Sequence, residues 1–193
     1  REIHVLTHLF LQRISLWCWL IEGDARSHVP APPSPGREVT ERRRSLARAQ
    51  SEGDAWEKHG TIGAVARDAA GHVAAGTSTG GITNQMPGRV GDSPLPGCGT
   101  YAADDSVAVS CTGIGEAFVR SVAAHQIADR VRFAGQSVQE AAQAALDDVA
   151  ARRGDGGVIV MPASGDGVLA YNSETMNYGY VTADGVRVVH GAE

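Results

Sequence analysis

A pair of helical segments set between runs of short strands leaves a chain few ways to fold, and residues 115–152 supply that pair. In "GEAFVRSVAAHQIADRVRFAG" the apolar residues Phe118, Val122, Ile127 and Val131 fall close to one helical stripe. Residues 137–152 form a second, Ala-rich helix, with Ser137 as N-cap and Glu140 three residues later to complete a capping box. Upstream, 61–67 is a short apolar run, "DAAG" is a turn and 72–75 resumes the apolar pattern, so the two strands make a hairpin. Residues 107–111 have the composition of a buried strand. Downstream, "GGVIVMP", "GVLAYN" and "YGYVTADGVRVV" return to strand, the last with an Asp-Gly turn between apolar runs. Strands, two helices and strands again predict a mixed sheet with helices packed on it, an α+β layer architecture.

At 193 residues the chain has room for one domain with a real core plus a tail. Four prolines within "HVPAPPSPG", residues 28–36, rule out helix and central strand there and predict a linker. Residues 1–38 thus read as a leader and Pro-rich linker, 39–60 as a second connecting stretch with a helix over 42–50 capped by Thr40, and 61–193 as the domain proper. The apolar stretch "HLFLQRISLWCWLIEG" is broken by Gln12 and Arg13 and is shorter than the roughly 20 residues a membrane helix needs, so no membrane association is expected. A net charge of -5 gives no general affinity for nucleic acid, and the arginines at 42–44 read as a solvated helix face. A small molecule or peptide is the expected partner. Three cysteines without a CxxC pair indicate neither a disulfide framework nor a zinc site and favour a reducing, cytoplasmic location. His59, His72 and His125 have no metal-ligand spacing, so no metal or other cofactor is expected.

Thr61 opens its strand directly after Gly60 in "WEKHGTIGAVA". An internal threonine hydroxyl is a poor nucleophile, but a threonine at a chain start carries its own base, an α-amine with a pKa of about 7.7 to 8. Cleavage between Gly60 and Thr61 would therefore create a catalyst. Gly60, without a Cβ, leaves its carbonyl open to attack by the Thr61 hydroxyl in an N-to-O acyl shift. Until that bond breaks, Thr61 has no free amine and the chain is a zymogen. Between the hairpin and the buried strand lies "GGITNQMPGRVGDSPLPGCGTYAADD", too long and too rich in Gly and Pro for an ordinary connection and so a candidate functional loop.

Five segments, "HGTIGAVA", "AAGTSTGG", "PGRVGDSPLPGCGTYA", "SCTGIGEAFVR" and "YNSETMNYGY", resemble in this order the catalytic β-subunit of the plant-type asparaginase and isoaspartyl-peptidase family of N-terminal-nucleophile hydrolases. The resemblance implies a four-layer αββα sandwich. It assigns the nucleophile to Thr61, the threonine beside it to Thr79, and self-cleavage to the Gly60–Thr61 bond. The substrate clamp falls on Arg89 and Asp92 in "GRVGDSP", a guanidinium for the α-carboxylate and a carboxylate for the α-ammonium. The oxyanion hole falls on Thr112 and Gly113 in "CTGIG". The implied reaction is hydrolysis of β-aspartyl amides, namely L-asparagine to aspartate and ammonia, and β-aspartyl dipeptides. Gly80, where the glycosylasparaginase branch usually carries Asn, favours the isoaspartyl-peptidase branch over that alternative.

In such families an α segment precedes the nucleophile and supplies a helix layer, further strands and a sodium-binding loop. Only "RSLARAQSEGDAWEKHG" resembles its end, so the sandwich is expected to be incomplete and the sodium site to lie outside this sequence. The resemblance further implies homo-oligomers of cleaved α/β heterodimers. The reading from a different class is a truncated, catalytically silent relative acting as an interaction module.

Overall fold

The computed structural model describes residues 4–8, 61–82, 85–86, 88–174, 176–182 and 185–189, with 4–8, 181–182 and 185–189 as backbone alone. The linker at 28–36, the helix expected over 42–50, the apolar stretch at 8–23, Cys18, His59 and Gly60 lie outside these residues, apart from the backbone of His8. Among the described residues no helix is long and apolar enough to cross a membrane.

The strands are β1 (His4–His8), β2 (Thr61–Arg67), β3 (Val73–Thr79), β4 (Thr100–Ala102), β5 (Val107–Gly113), β6 (Gly156–Pro162), β7 (Val168–Tyr171), β8 (Tyr178–Thr182) and β9 (Gly185–Val189). Among the described residues the helices, which lie between β5 and β6, are α1 (Gly115–Ser121), α2 (Ala123–Ala134) and α3 (Val138–Ala151). The strands form two sheets, one in the order β3-β2-β1-β8-β9 and one in the order β4-β5-β6-β7. Every neighbouring pair is antiparallel, so the mixed sheet expected from the periodicity is instead two antiparallel sheets, the two β-layers that the family resemblance implies. One strand comes from the stretch read as a leader: β1 pairs with β2 on one side and β8 on the other.

Side-chain alternation on β5 and β6 explains the layering. Val107, Val109, Cys111, Val158 and Val160 face the helices, where Phe118, Ile127, Leu146 and Val149 complete a core with no exposed surface. Ala108, Ile159 and Met161 face the other way, against Val65, Val73 and Ala75 of the first sheet. β6 is therefore buried on both faces and reads as a continuous apolar run, and β5 is likewise buried on both faces from Val107 to Cys111. The described residues form an α+β stack of sheet, sheet and helices.

The β2–β3 hairpin forms as expected, its turn fixed by Asp68 Oδ1 accepting from the backbone N–H groups of Ala70 and His72, both at 2.9 Å. The capping box also forms: Ser137 Oγ accepts from Glu140 N at 3.3 Å while the Glu140 carboxylate accepts from Ser137 N at 2.9 Å. The long helix expected over 115–134 is instead broken at Val122, which adopts φ 49° and is 46% exposed, off the stripe it was expected to share. The cause is tertiary. The turn before β4 docks on the start of α2, where Ala124 N donates to Cys98 O at 3.2 Å and His125 N to Gly97 O at 2.8 Å, capturing amides that a continuous helix would use internally.

Candidate active site

The residues to which the sequence assigns the chemistry lie toward one end of the two-sheet stack. In β2, Val65 faces the second sheet, so Thr61, at the same parity, faces it too. Thr79 stands directly across from Thr61 in the hairpin register, and Thr61 Oγ1 donates to Thr79 Oγ1 over 3.4 Å. Thr79 Oγ1 also accepts from Gly81 N at 3.1 Å, which fixes the hydroxyl against the loop that leaves β3.

Two cross-sheet contacts set the direction of β5 relative to this hairpin. Arg67, at the far end of β2, donates to Pro162 O at 2.9 Å, and Pro162 pairs with Val107, the first residue of β5. Thr77 shares a 2.6 Å hydrogen bond with Ser110. β5 thus runs from the Arg67 end toward the Thr61 end, and its last residues, Thr112 and Gly113, arrive on the side of Thr61 and Thr79. Thr112 has the same parity as Ser110, so it too faces the space between the sheets. Gly113 sits at φ 141°, and a Cβ there would come within 2.9 Å of Phe118 Cε2 and collide with the backbone of Asp155 and Gly156. Its lack of a side chain serves the β5–β6 packing as much as any approach by a ligand.

The loop read from the sequence as functional brings Arg89 and Asp92 to the start of α1. Asp92 is 6% exposed, its Oδ2 having no hydrogen-bond donor among the described residues. The carboxylate is walled by glycines: a Cβ on Gly99 would lie 2.7 Å from Oδ2 and one on Gly115 2.9 Å from Oδ1. Burial pushes the Asp92 carboxyl up from 3.8 to about 6, against the pull of its own and the Ser93 backbone N–H and of the Arg89 charge. Arg89 does not close an ion pair on Asp92. Its Nε donates to Glu116 Oε1 at 2.7 Å and its Nη2 to Glu116 Oε2 at 3.0 Å, a two-point contact that holds the Glu116 carboxyl below its usual range. This leaves the Nη1 hydrogens and one on Nη2 for a second two-point contact along the opposite edge of the guanidinium.

Glu116 is the residue the sequence reading missed. An acidic residue in the first turn of a helix is already accounted for by the helix dipole, so "GIGEAF" alone does not signal it. The available clue was the arginine 27 positions earlier, visible as a partner only once the loop is folded.

The frame, two facing antiparallel sheets backed by helices with a hydroxyl at the first position of a strand, is that of the N-terminal-nucleophile hydrolases. The chain belongs to the asparaginase family, whose model, described as Asparaginase, matches residues 31–190. It is 51% identical over 124 residues to an isoaspartyl peptidase of Salmonella typhimurium, covering 64% of this chain and 40% of the relative. An isoaspartyl peptidase of Escherichia coli is 50% identical over 124 residues, 64% of this chain and 39% of its own length. An isoaspartyl peptidase/L-asparaginase of Bos taurus is 40% identical over 170 residues, 82% of this chain and 55% of the relative. The chain therefore spans about two-fifths to about half of the length of the curated relatives it matches.

Proposed function

We propose that this chain carries the catalytic part of a β-aspartyl amide hydrolase that acts on L-asparagine and on β-aspartyl dipeptides. The observation that carries the reading is the meeting of Thr61 and Thr79 at the stack end toward which β5 brings Thr112 and Gly113. The relatives' names, isoaspartyl peptidase and L-asparaginase, supply the substrate class.

In the proposed cycle the Thr61 hydroxyl first attacks the Gly60 carbonyl, the C–N bond breaks to free the Thr61 amine and leave an ester on Oγ1, and water then hydrolyses that ester to release the Gly60 carboxylate and restore the hydroxyl. In turnover, Arg89 takes the substrate α-carboxylate and Asp92 its α-ammonium. The Thr61 Oγ then bonds to the side-chain carbonyl carbon while its proton passes to the Thr61 amine. The negative charge that develops on the carbonyl oxygen is met by the Thr112 hydroxyl and the Gly113 N–H; losing one such donor typically costs about 100- to 1,000-fold in rate. The C–N bond breaks, and the amine returns the proton to the departing ammonia or amino acid. Water, deprotonated by the same amine, cleaves the β-aspartyl ester to release aspartate.

We further propose a cytoplasmic location, a fourth layer contributed by an α part, a sodium site in that part, and assembly as paired α/β heterodimers. The test is steady-state kinetics of Arg89→Ala on asparagine and a β-aspartyl dipeptide. A self-cleaving variant with a raised KM fits the clamp; equal loss of cleavage and turnover removes Arg89 from that role.

A further inference from the structure

Asp92 is a buried acid whose Oδ2 has no donor among the described residues, and Arg89, the cation whose charge acts on it among those residues, turns two of its nitrogens onto Glu116. A buried carboxylate with one oxygen left without a donor is unfavourable as an anion, the backbone N–H groups of Asp92 and Ser93 only partly offsetting the burial. The ionisable groups that act on Asp92 or feel its charge are Arg89 in its own loop, Glu116 from α1, Cys98 from the turn before β4, and Cys111 from β5. Burial pushes both thiols up, with the Asp92 charge adding to it, while the Arg89 contact keeps Glu116 ionised. Between about pH 5 and 8, Asp92 is the group among these whose charge changes.

We propose that at mildly acid pH the ligand-free site holds Asp92 as the neutral acid, and that docking of a substrate α-ammonium against its carboxyl group expels that proton to solvent. The inference rests on the reading of Arg89 and Asp92 as the clamp for an amino-acid end. The step balances simply: the carboxyl O–H bond breaks, the proton goes to water, and the carboxylate accepts N–H bonds from an ammonium that keeps its own charge. The ammonium brings the donor and the countercharge that the fold withholds. Binding of any ligand with a free α-ammonium is then linked to proton release, and its affinity falls about tenfold for each pH unit below about 6. A dicarboxylate without the ammonium has nothing to offer Oδ2 and releases no proton there.

The probes are L-aspartate and, as the ammonium-free control, succinate. Each is titrated calorimetrically into the wild-type protein at about pH 5 and about pH 7.5, in two buffers of different ionisation enthalpy, alongside carboxyl 13C NMR of the ligand-free protein with Asp92→Asn for assignment. The expected result is release of about 0.9 proton per aspartate at the lower pH and under about 0.1 at the higher, with binding about tenfold weaker at the lower pH. Aspartate binding without proton release at pH 5, or equal release with succinate once the proton lost by succinate's own second carboxyl is subtracted, overturns the inference and leaves the clamp intact. An Asp92 carboxyl that titrates near 4 in the ligand-free protein overturns it independently. Failure of aspartate to bind at either pH removes the clamp and the inference together.

Discussion

Replacing Asp92 by Asn removes a group that the fold itself disfavours as an anion, and the size of the effect follows from its burial. The rise of the Asp92 carboxyl from 3.8 to about 6 corresponds to about 3 kcal/mol of preference for the neutral form in the folded protein. Because the folded pKa lies above the unfolded one, the folded protein binds more proton between the two values. The stabilisation that the neutral acid provides is complete below about pH 4 and lost as pH rises through about 6. Asp92→Asn does not titrate, so the stability of the variant minus that of the wild type should grow by up to about 3 kcal/mol between pH 4 and pH 7. The Asn amide adds a constant offset that cancels from this difference. For a chain of this size the same change amounts to about 6 to 12 °C in Tm. Paired thermal or urea unfolding across that pH range measures it. A difference that stays flat, or that shrinks as pH rises, refutes the assignment of Asp92 as a buried acid.

Glu116→Gln keeps the shape of the Arg89 partner but removes its charge, and the contact is half exposed on the Glu116 side. It should raise KM about three- to tenfold with kcat little changed; an equal fall in kcat would show that Glu116 does more than orient the guanidinium. Ser137→Ala loses the hydroxyl that accepts from Glu140 N, one half of the α3 capping box, and should cost about 0.5 to 2 kcal/mol in urea unfolding without altering KM.

What the sequence disclosed and what it hid divide along the range of the interactions. The hairpin at Asp68–Gly71 and the Ser137–Glu140 box are closed by groups within four residues of one another, so their residue types announce them. The division into two sheets depends on which strands pair at long range, and since the strands flanking the turns look alike in composition, only the family resemblance implied it. β1 is the extreme case: five residues in a stretch that resembles no catalytic segment are held between two strands more than 50 and 170 positions away. The break at Val122 was invisible for the same reason, since the carbonyls that create it belong to Gly97 and Cys98. Thr61, Thr79, Arg89, Asp92, Thr112 and Gly113 were all named from motifs. Their motifs could not disclose that Arg89 would engage Glu116, nor that Asp92 would be left without a donor on one oxygen.

The proposal that Thr61 becomes a nucleophile through its own amine is tested most directly by intact mass spectrometry of the protein after incubation at neutral pH, with Thr61→Ala in parallel and asparagine turnover measured on the same samples. The account predicts a single break between Gly60 and Thr61 in the wild type alone, with ammonia release appearing in step with it. A wild-type chain that hydrolyses asparagine while still uncut, or a Thr61→Ala chain that breaks at the same bond, would contradict it.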